Sequence, residues 1–424
     1  MKSFKKFFST AAVATLAATL LVGCGGNEEA AAEKDGQDTT LKVSVWNYET
    51  TPEFKKLFEA FEEENPGVKV EPVDIAADQY DQKLATMLSS GDTTDVLTMK
   101  NLNTYSQFAY RDQLKDLTSH IGEIDIEAAK DTYEMYDIDG KTYAQPYRTD
   151  FWVLYYNSKM FADAGITDVS NLTWDEYVEY AKQLTDPENG VYGAYQHTWR
   201  SVVQALAAAQ NDANLIEPSY GFMEDYYART LELQNEKAIM DYGTAKSTQV
   251  TYASQFNGEK AGMMYMGTWF MAAIISEKEA GNSNVDWSIA PIPQNEKGEI
   301  TTFGSPTGFA INKNSKNSEL AQEFLDFASG EKGATILAQT GVVPSYRTDE
   351  INKLYFEKAG MPTDEVALKA FAPDKIAVEF PVNKNGGAID KILAEEHDLI
   401  LVNDKTPAEG IKEMEDRITT EISE

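Results

Sequence analysis

The 424-residue sequence sets 69 acidic side chains against 37 basic ones, a formal net charge of −32 at pH 7, with 42% hydrophobic and 25% charged residues. That balance excludes nucleic acid as a partner, since no basic surface can neutralise phosphates, and it disfavours adsorption of the folded body to anionic lipid. The single cysteine excludes a disulfide within the chain, so stability must come from the core alone, and the length suggests two domains or one large split one.

The chain opens with Lys2, Lys5 and Lys6, then an apolar run from Phe7 to Leu21 that ends in Leu21-Val22-Gly23-Cys24. This is the layout of a bacterial secretory signal peptide over residues 1–23, and its exit sequence resembles a lipobox. Such a motif leaves Cys24 as the new N-terminus, carrying a diacylglyceryl group on its thiol. The run is short for a membrane span, which needs about 20 apolar residues. Residues 24–40 are small and polar and read as a lipidated flexible stalk. The expected location is the outer face of the cell membrane, with acyl chains as the anchor. A tether of this kind suits a Gram-positive cell with one membrane.

Leu41, Val43 and Val45 alternate with polar neighbours as a strand does. Thr51 is placed to cap a helix with Pro52 in its first turn, and Phe54, Leu57, Phe58 and Phe61 form one apolar stripe. Asn65-Pro66-Gly67 ends that helix. Val68, Val70 and Val73 continue as a second strand. Tyr80, Leu84, Met87 and Leu88 mark a second helix stopping at Gly91, and Asp95–Met99 reads as a third strand. The alternation predicts a mainly parallel sheet covered by helices, in which ligands bind at the carboxyl ends of strands. Trp46 and Asn101 stand at such ends.

Further along, Asp139-Gly140 predicts a hairpin turn and Phe151–Tyr156 a sheet segment. Thr173-Trp174-Asp175-Glu176 is a capping box for a helix reaching Leu184. Helices are predicted over 200–210, 222–235, 318–329, 388–400 and 407–421, and strands over 261–266, 287–291 and 307–312.

The catalytic signatures fail: the chain has no G-x-x-x-x-G-K-[ST], no H-E-x-x-H and no G-x-S-x-G. Only His120, His197 and His397 exist, far apart in sequence, so neither a zinc site nor a His-based triad is expected. No cofactor and no metal are expected.

Several stretches resemble the family 1 extracellular solute-binding proteins, the sugar receptors of ABC importers. One is Gly140-Lys141-Thr142-Tyr143-Ala144-Gln145-Pro146-Tyr147, followed by Leu154-Tyr155-Tyr156-Asn157. A second is Leu172-Thr173-Trp174-Asp175-Glu176. The third is Phe256-Asn257-Gly258-Glu259-Lys260-Ala261-Gly262-Met263-Met264, with Gly267-Thr268-Trp269 behind it. The last runs from Gly304 through Gly308-Phe309-Ala310-Ile311 to Gly341-Val342-Val343-Pro344. Tyr147 and Arg148 depart from the family pattern, which usually holds an aliphatic and a small residue there.

The resemblance implies an α/β fold of the two-lobed, periplasmic-binding-protein type II class with a hinge between the lobes. One lobe would be 41–147 plus 306–348, the other 149–304 plus 351–424. It implies capture of a mono- or oligosaccharide in the cleft, delivery to ABC permease subunits, no catalysis, and a monomer. A glycerol-phosphate-type or acidic saccharide ligand, and an extracellular carbohydrate-active enzyme, stay open as alternatives.

Sugars present apolar C–H faces that stack on rings, and hydroxyls that suit carboxylates, amides and guanidinium groups. On the resemblance, Trp46 and Trp269 are stacking candidates and Trp199 is a third, while Trp152, Trp174 and Trp287 read as structural. Asp150 would accept hydroxyl protons, and Glu49 lies near polar contacts that follow the first strand in relatives. Asn101 could donate and accept together, and Ser305 sits at the second crossing. Arg148 and Arg347 would hold a uronate, a sulfate or a ring oxygen, or else form salt bridges with neighbouring acids.

Overall fold

A computed structural model describes residues 39–422. The expected signal peptide, Cys24 and residues 25–38 of the expected stalk lie outside the described residues. Thr39 and Thr40 are already sheet residues, paired with Val68 and Lys69, so the fold begins two residues before the stalk was expected to end.

Nine strands form one connected system: β1 (Thr39–Trp46), β2 (Val68–Ile75), β3 (Val96–Met99), β4 (Ala144–Asn157), β5 (Tyr192–Ala194), β6 (Ala261–Gly267), β7 (Trp287–Ala290), β8 (Thr301–Ile311) and β9 (Lys375–Val378). The main order is β2-β1-β3-β8-β4-β6-β5, with β7 on β4 and β9 on β8. The first three strands are parallel, as their alternation with helices requires. The expectation of a mainly parallel sheet holds only there. β8 returns antiparallel to β3, and β4 is antiparallel to β8, β6 and β7. Pro72 is tolerated in β2 because that strand lies at the sheet edge, where a missing N–H costs no ladder bond.

Helix α1 (Pro52–Glu64) buries Phe54, Leu57, Phe58 and Phe61, the predicted stripe. Thr51 occupies its cap position but does not cap it: the hydroxyl donates to the Trp46 carbonyl at 3.1 Å. Helices α2 (Tyr80–Ser89) and α3 (Leu102–Tyr110) follow. The capping box at Thr173 and Glu176 is formed in full. The stretch 200–210 divides into a 3-10 turn, Arg200–Val202, and a helix, Gln204–Gln210. The helices Phe270–Glu279, Glu331–Thr340 and Asp349–Phe356 were not anticipated.

Two hydrophobic cores result. The first gathers β1, β3, α1 and the helix Ser318–Ser329, whose Phe324 meets Phe58 and Phe61 edge-on at 5.7 and 5.2 Å. The second surrounds the latter half of β4 with β6, β7 and the C-terminal helices Gly386–Leu401 and Pro407–Glu421. β4 and β8 run through both: Tyr147 and Phe309 belong to the first core, Phe151 and Phe303 to the second. Between Pro146 and Arg148 the register of this pair shifts, a bulge that re-aims the side chains that follow. A third segment lies alongside, with the Thr149 amide donating to Val343 O at 3.1 Å and the Ser345 amide to Tyr147 O at 3.0 Å. Two cores joined by three adjacent chain segments are an architecture suited to hinge bending.

Candidate functional site

Where β4 and β8 pass from one core to the other, their side chains converge with the ends of β1 and β3. Arg148, the residue after the bulge, is buried at 6% exposure. Its Nη1 donates to Glu53 Oε1 at 2.5 Å, and its Nε lies 3.1 Å from Asp150 Oδ2 without the alignment of a hydrogen bond. Burial works against its charge, but Tyr147, Asp150 and Glu53 outweigh that and hold the guanidinium above its ordinary range. Glu53 and Asp150 are both raised, because desolvation exceeds the pull of Arg148. Asp150 Oδ1 also accepts from Thr268 Oγ1 at 2.9 Å. Arg148 is thus engaged in salt bridges with neighbouring acids, one of the two readings its position allowed.

Trp46 ends β1 at 7% exposure. Its ring is wedged edge-on against Phe54 and Tyr80 at 5.1 and 5.2 Å, and Lys100 and Arg148 each stand 5.5 Å from its centroid. It is packed from behind by these two rings and overlaid by cations, so little of the stacking candidate is exposed. Asn101 caps α3, its Oδ1 accepting from the Thr104 amide at 2.8 Å, so only its amide group is left to reach Asp81 nearby. Ser305 is half-buried and pairs with Asp150 across the strands. Arg347 is exposed, lies in the field of Asp150 and Tyr355, and has its charge disfavoured by desolvation. Glu49 stands on the exposed turn Tyr48–Thr50, where its charge acts on Tyr48, and is not brought to the Arg148 cluster.

A second wall, built from the other core, is aromatic. Trp269 and Trp199, both half-buried, lie 5.7 and 6.4 Å from buried Trp152 and 6.2 Å from each other. His197 abuts Trp199 at 4.4 Å, and Tyr252 stands 5.9 Å from the same indole. Tyr252 also feels Arg148, Asp78 and Asp150, which ties this wall to the charged crossing and to the first core.

Five further groups were not among the site residues expected from sequence. Lys100 donates to Ala77 O at 3.0 Å, and burial pulls its ammonium down against the opposing pull of Asp81 and Asp78. His197 is held down to about 4 by burial, with Lys100 adding to the effect, so it is neutral at pH 7. Asp81 is open to solvent yet crowded by protein, which raises its carboxyl. Glu379 is raised by burial against the pull of Arg200. Glu53 was legible only as an acid in a helix first turn, a common dipole partner, and nothing in its spacing announces a buried pair with Arg148. Lys100 immediately follows β3, and that position is the one signal that could have flagged it.

Rings, mixed charges and amides, and a buried ionic floor suit a neutral guest with both apolar and hydroxylated faces. Among the described residues no group of three or more His, Cys, Asp or Glu is placed to hold a metal ion, and no helix is long and apolar enough to cross a membrane.

Comparison with known proteins bears on the family and the fold. Residues 48–335 match the model of the bacterial extracellular solute-binding protein family. The diacetylchitobiose binding protein DasA of Streptomyces coelicolor is 27% identical over 342 residues, 77% of this chain and 78% of that protein. A maltooligosaccharide ABC transporter solute-binding lipoprotein of Streptococcus pneumoniae is 25% identical over 362 residues, 80% and 81% of the two chains. The crystal structure of a sugar transporter from Rhizobium etli, in an open conformation, superimposes with a TM-score of 0.74 at 32% identity, covering 90% of this chain and 99% of that one. With the fold and more than half the length in agreement, the chain belongs to the bacterial extracellular solute-binding protein family.

Proposed function

We propose that this protein is a lipid-anchored receptor that takes a mono- or oligosaccharide into the cleft between its two cores and passes it to the permease subunits of an ABC importer. The observation that carries the reading is the gathering near the crossing of rings, Trp199, Trp269 and Tyr252, and of polar groups, Lys100, Asp81 and Asn101. Rings take the C–H faces of a sugar, and the polar groups take its hydroxyls. Relatives that bind diacetylchitobiose and maltooligosaccharide support the ligand class. The lobes are 41–147 plus 306–348 and 149–304 plus 351–424. They close because the ligand touches both walls only in the closed form.

The test is calorimetry against maltotriose, diacetylchitobiose, arabinotriose and cycloalternan, with small-angle scattering in parallel. A heat of binding and a smaller radius of gyration with one of them are expected, and no heat with any of them defeats the ligand class. Anchoring is read separately: Cys24→Ala is expected to move the protein from the membrane fraction to the medium.

A further inference from the structure

We propose that Gly267 is a positioning residue for Trp269, and that its missing side chain sets the plane in which this indole meets the ligand. Gly267 is the last residue of β6 and stands opposite Trp152 in the ladder, its carbonyl accepting from the Tyr155 hydroxyl at 2.8 Å. Its backbone is not left-handed, so nothing in its φ demands glycine. The demand is steric. A Cβ at this position would fall 1.9 Å from Cζ3, 2.2 Å from Cη2 and 2.3 Å from Cε3 of Trp269. The benzo edge of the indole thus occupies the space a side chain would take.

Trp269 has little room to give way. Its backbone leads directly into the helix Phe270–Glu279. The edge of Trp152 closes one side of the ring and Trp199 another, and the Tyr252 hydroxyl stands beside its N–H. The ring rests against the bare backbone of Gly267 and stays half-buried. Any side chain at 267 would drive the ring forward into the space the guest needs, and would also break its packing.

This inference rests on the cleft being the saccharide site, and the experiment separates the two. Gly267→Ala, Trp269→Ala and the double variant are compared with wild type by near-UV circular dichroism and thermal melting of the free protein. They are then titrated with whichever of maltotriose, diacetylchitobiose, arabinotriose and cycloalternan binds wild type tightest. Gly267→Ala is expected to change the indole band and to weaken binding about tenfold, whereas adding it to Trp269→Ala changes affinity by less than about twofold. Wild-type affinity with an unchanged band in Gly267→Ala overturns the proposal, and so does an equal loss in the Trp269→Ala background. If Gly267→Ala does not fold, folding of the double variant supports the ring as the obstacle, and failure of both overturns it. If no sugar binds wild type, the saccharide reading falls, while the near-UV band still decides whether Gly267 seats the ring.

Discussion

At the crossing, Arg148 is held between two buried carboxylates and faces Trp46. On the aromatic wall, Trp152 is ringed by Phe303, Trp269, Trp199 and Tyr265 at 4.8–6.4 Å with no charge among them. Both arrangements are buried and both fix side chains beside the cleft, but they respond differently to damage. A charge cluster holds because each charge has an opposite partner, so removing one member harms more than removing all. An aromatic cluster holds by filled volume, and no second deletion can restore it. The floor of the cleft is therefore specified by balance and its wall by shape.

The largest effects test this contrast. Arg148→Met leaves Glu53 and Asp150 buried without a counter-charge and is expected to cost about 3–5 kcal/mol in urea unfolding, with most of it regained on adding Glu53→Gln and Asp150→Asn. Trp152→Ala is expected to cost about 3–5 kcal/mol as well, and neither Phe303→Ala nor Trp199→Ala added to it should restore stability. If the triple charge variant stays as unstable as Arg148→Met, the floor is held by packing after all.

Proton linkage separates the regions next. His197 titrates at about 4 in the fold against an ordinary 6.5, and His397, whose Nδ1 meets the Tyr227 hydroxyl at 3.1 Å, at about 3. The unfolded chain takes up these protons first. Their contribution is complete above pH 6.5 and is lost as pH falls toward those values, on the order of 3 kcal/mol for His197. Glu53 and Asp150 are raised, so they act with the opposite sign: the fold gains as pH falls through their raised values. Subtracting the unfolding free energy of His197→Asn from that of wild type between pH 7 and pH 4 isolates the first slope. A flat difference means the imidazole is not buried beside Lys100.

Donation to Asp150 is a smaller term. Thr268→Val keeps the shape and deletes the donor to a charged acceptor, with an expected loss of about 1.5–3 kcal/mol. Chemical denaturation measures it, and a loss in Thr268→Val that persists when Asp150→Asn is also present would place the effect elsewhere.

Much of the first core was legible because it is periodic: the Phe54–Phe61 stripe, the strand alternation of β1 and the Asn65-Pro66-Gly67 stop each state one local rule. The antiparallel return of β8 was not, since pairing between residues 96–99 and 308–311 is a long-range choice that no local pattern encodes. The same limit governs the site. Trp199 and Trp269 could be picked from residue type and resemblance, and they do share a wall. Glu53, Tyr252 and Glu379 sit in unremarkable local contexts, and their burial depends on which distant segments meet. Glu49 was named because polar contacts follow the first strand in relatives, and it stands on the exposed turn after β1.

Asn101 joins the two lessons at the smallest expected effect. Its position after β3 marked it as a cleft residue, yet its Oδ1 serves the Thr104 amide as the N-cap of α3. Asn101→Ala should cost about 1 kcal/mol of stability, and Asn101→Asp, which keeps the cap, should cost less. The ligand supplies the sharper distinction. If only the cap matters, Asn101→Asp binds sugar as wild type does. If the amide also donates to the guest, Asn101→Asp keeps its stability and loses affinity, because a second carboxylate then faces Asp81 and no donor remains. Measuring both quantities on both variants separates a residue that shapes the wall from one that touches what the wall encloses.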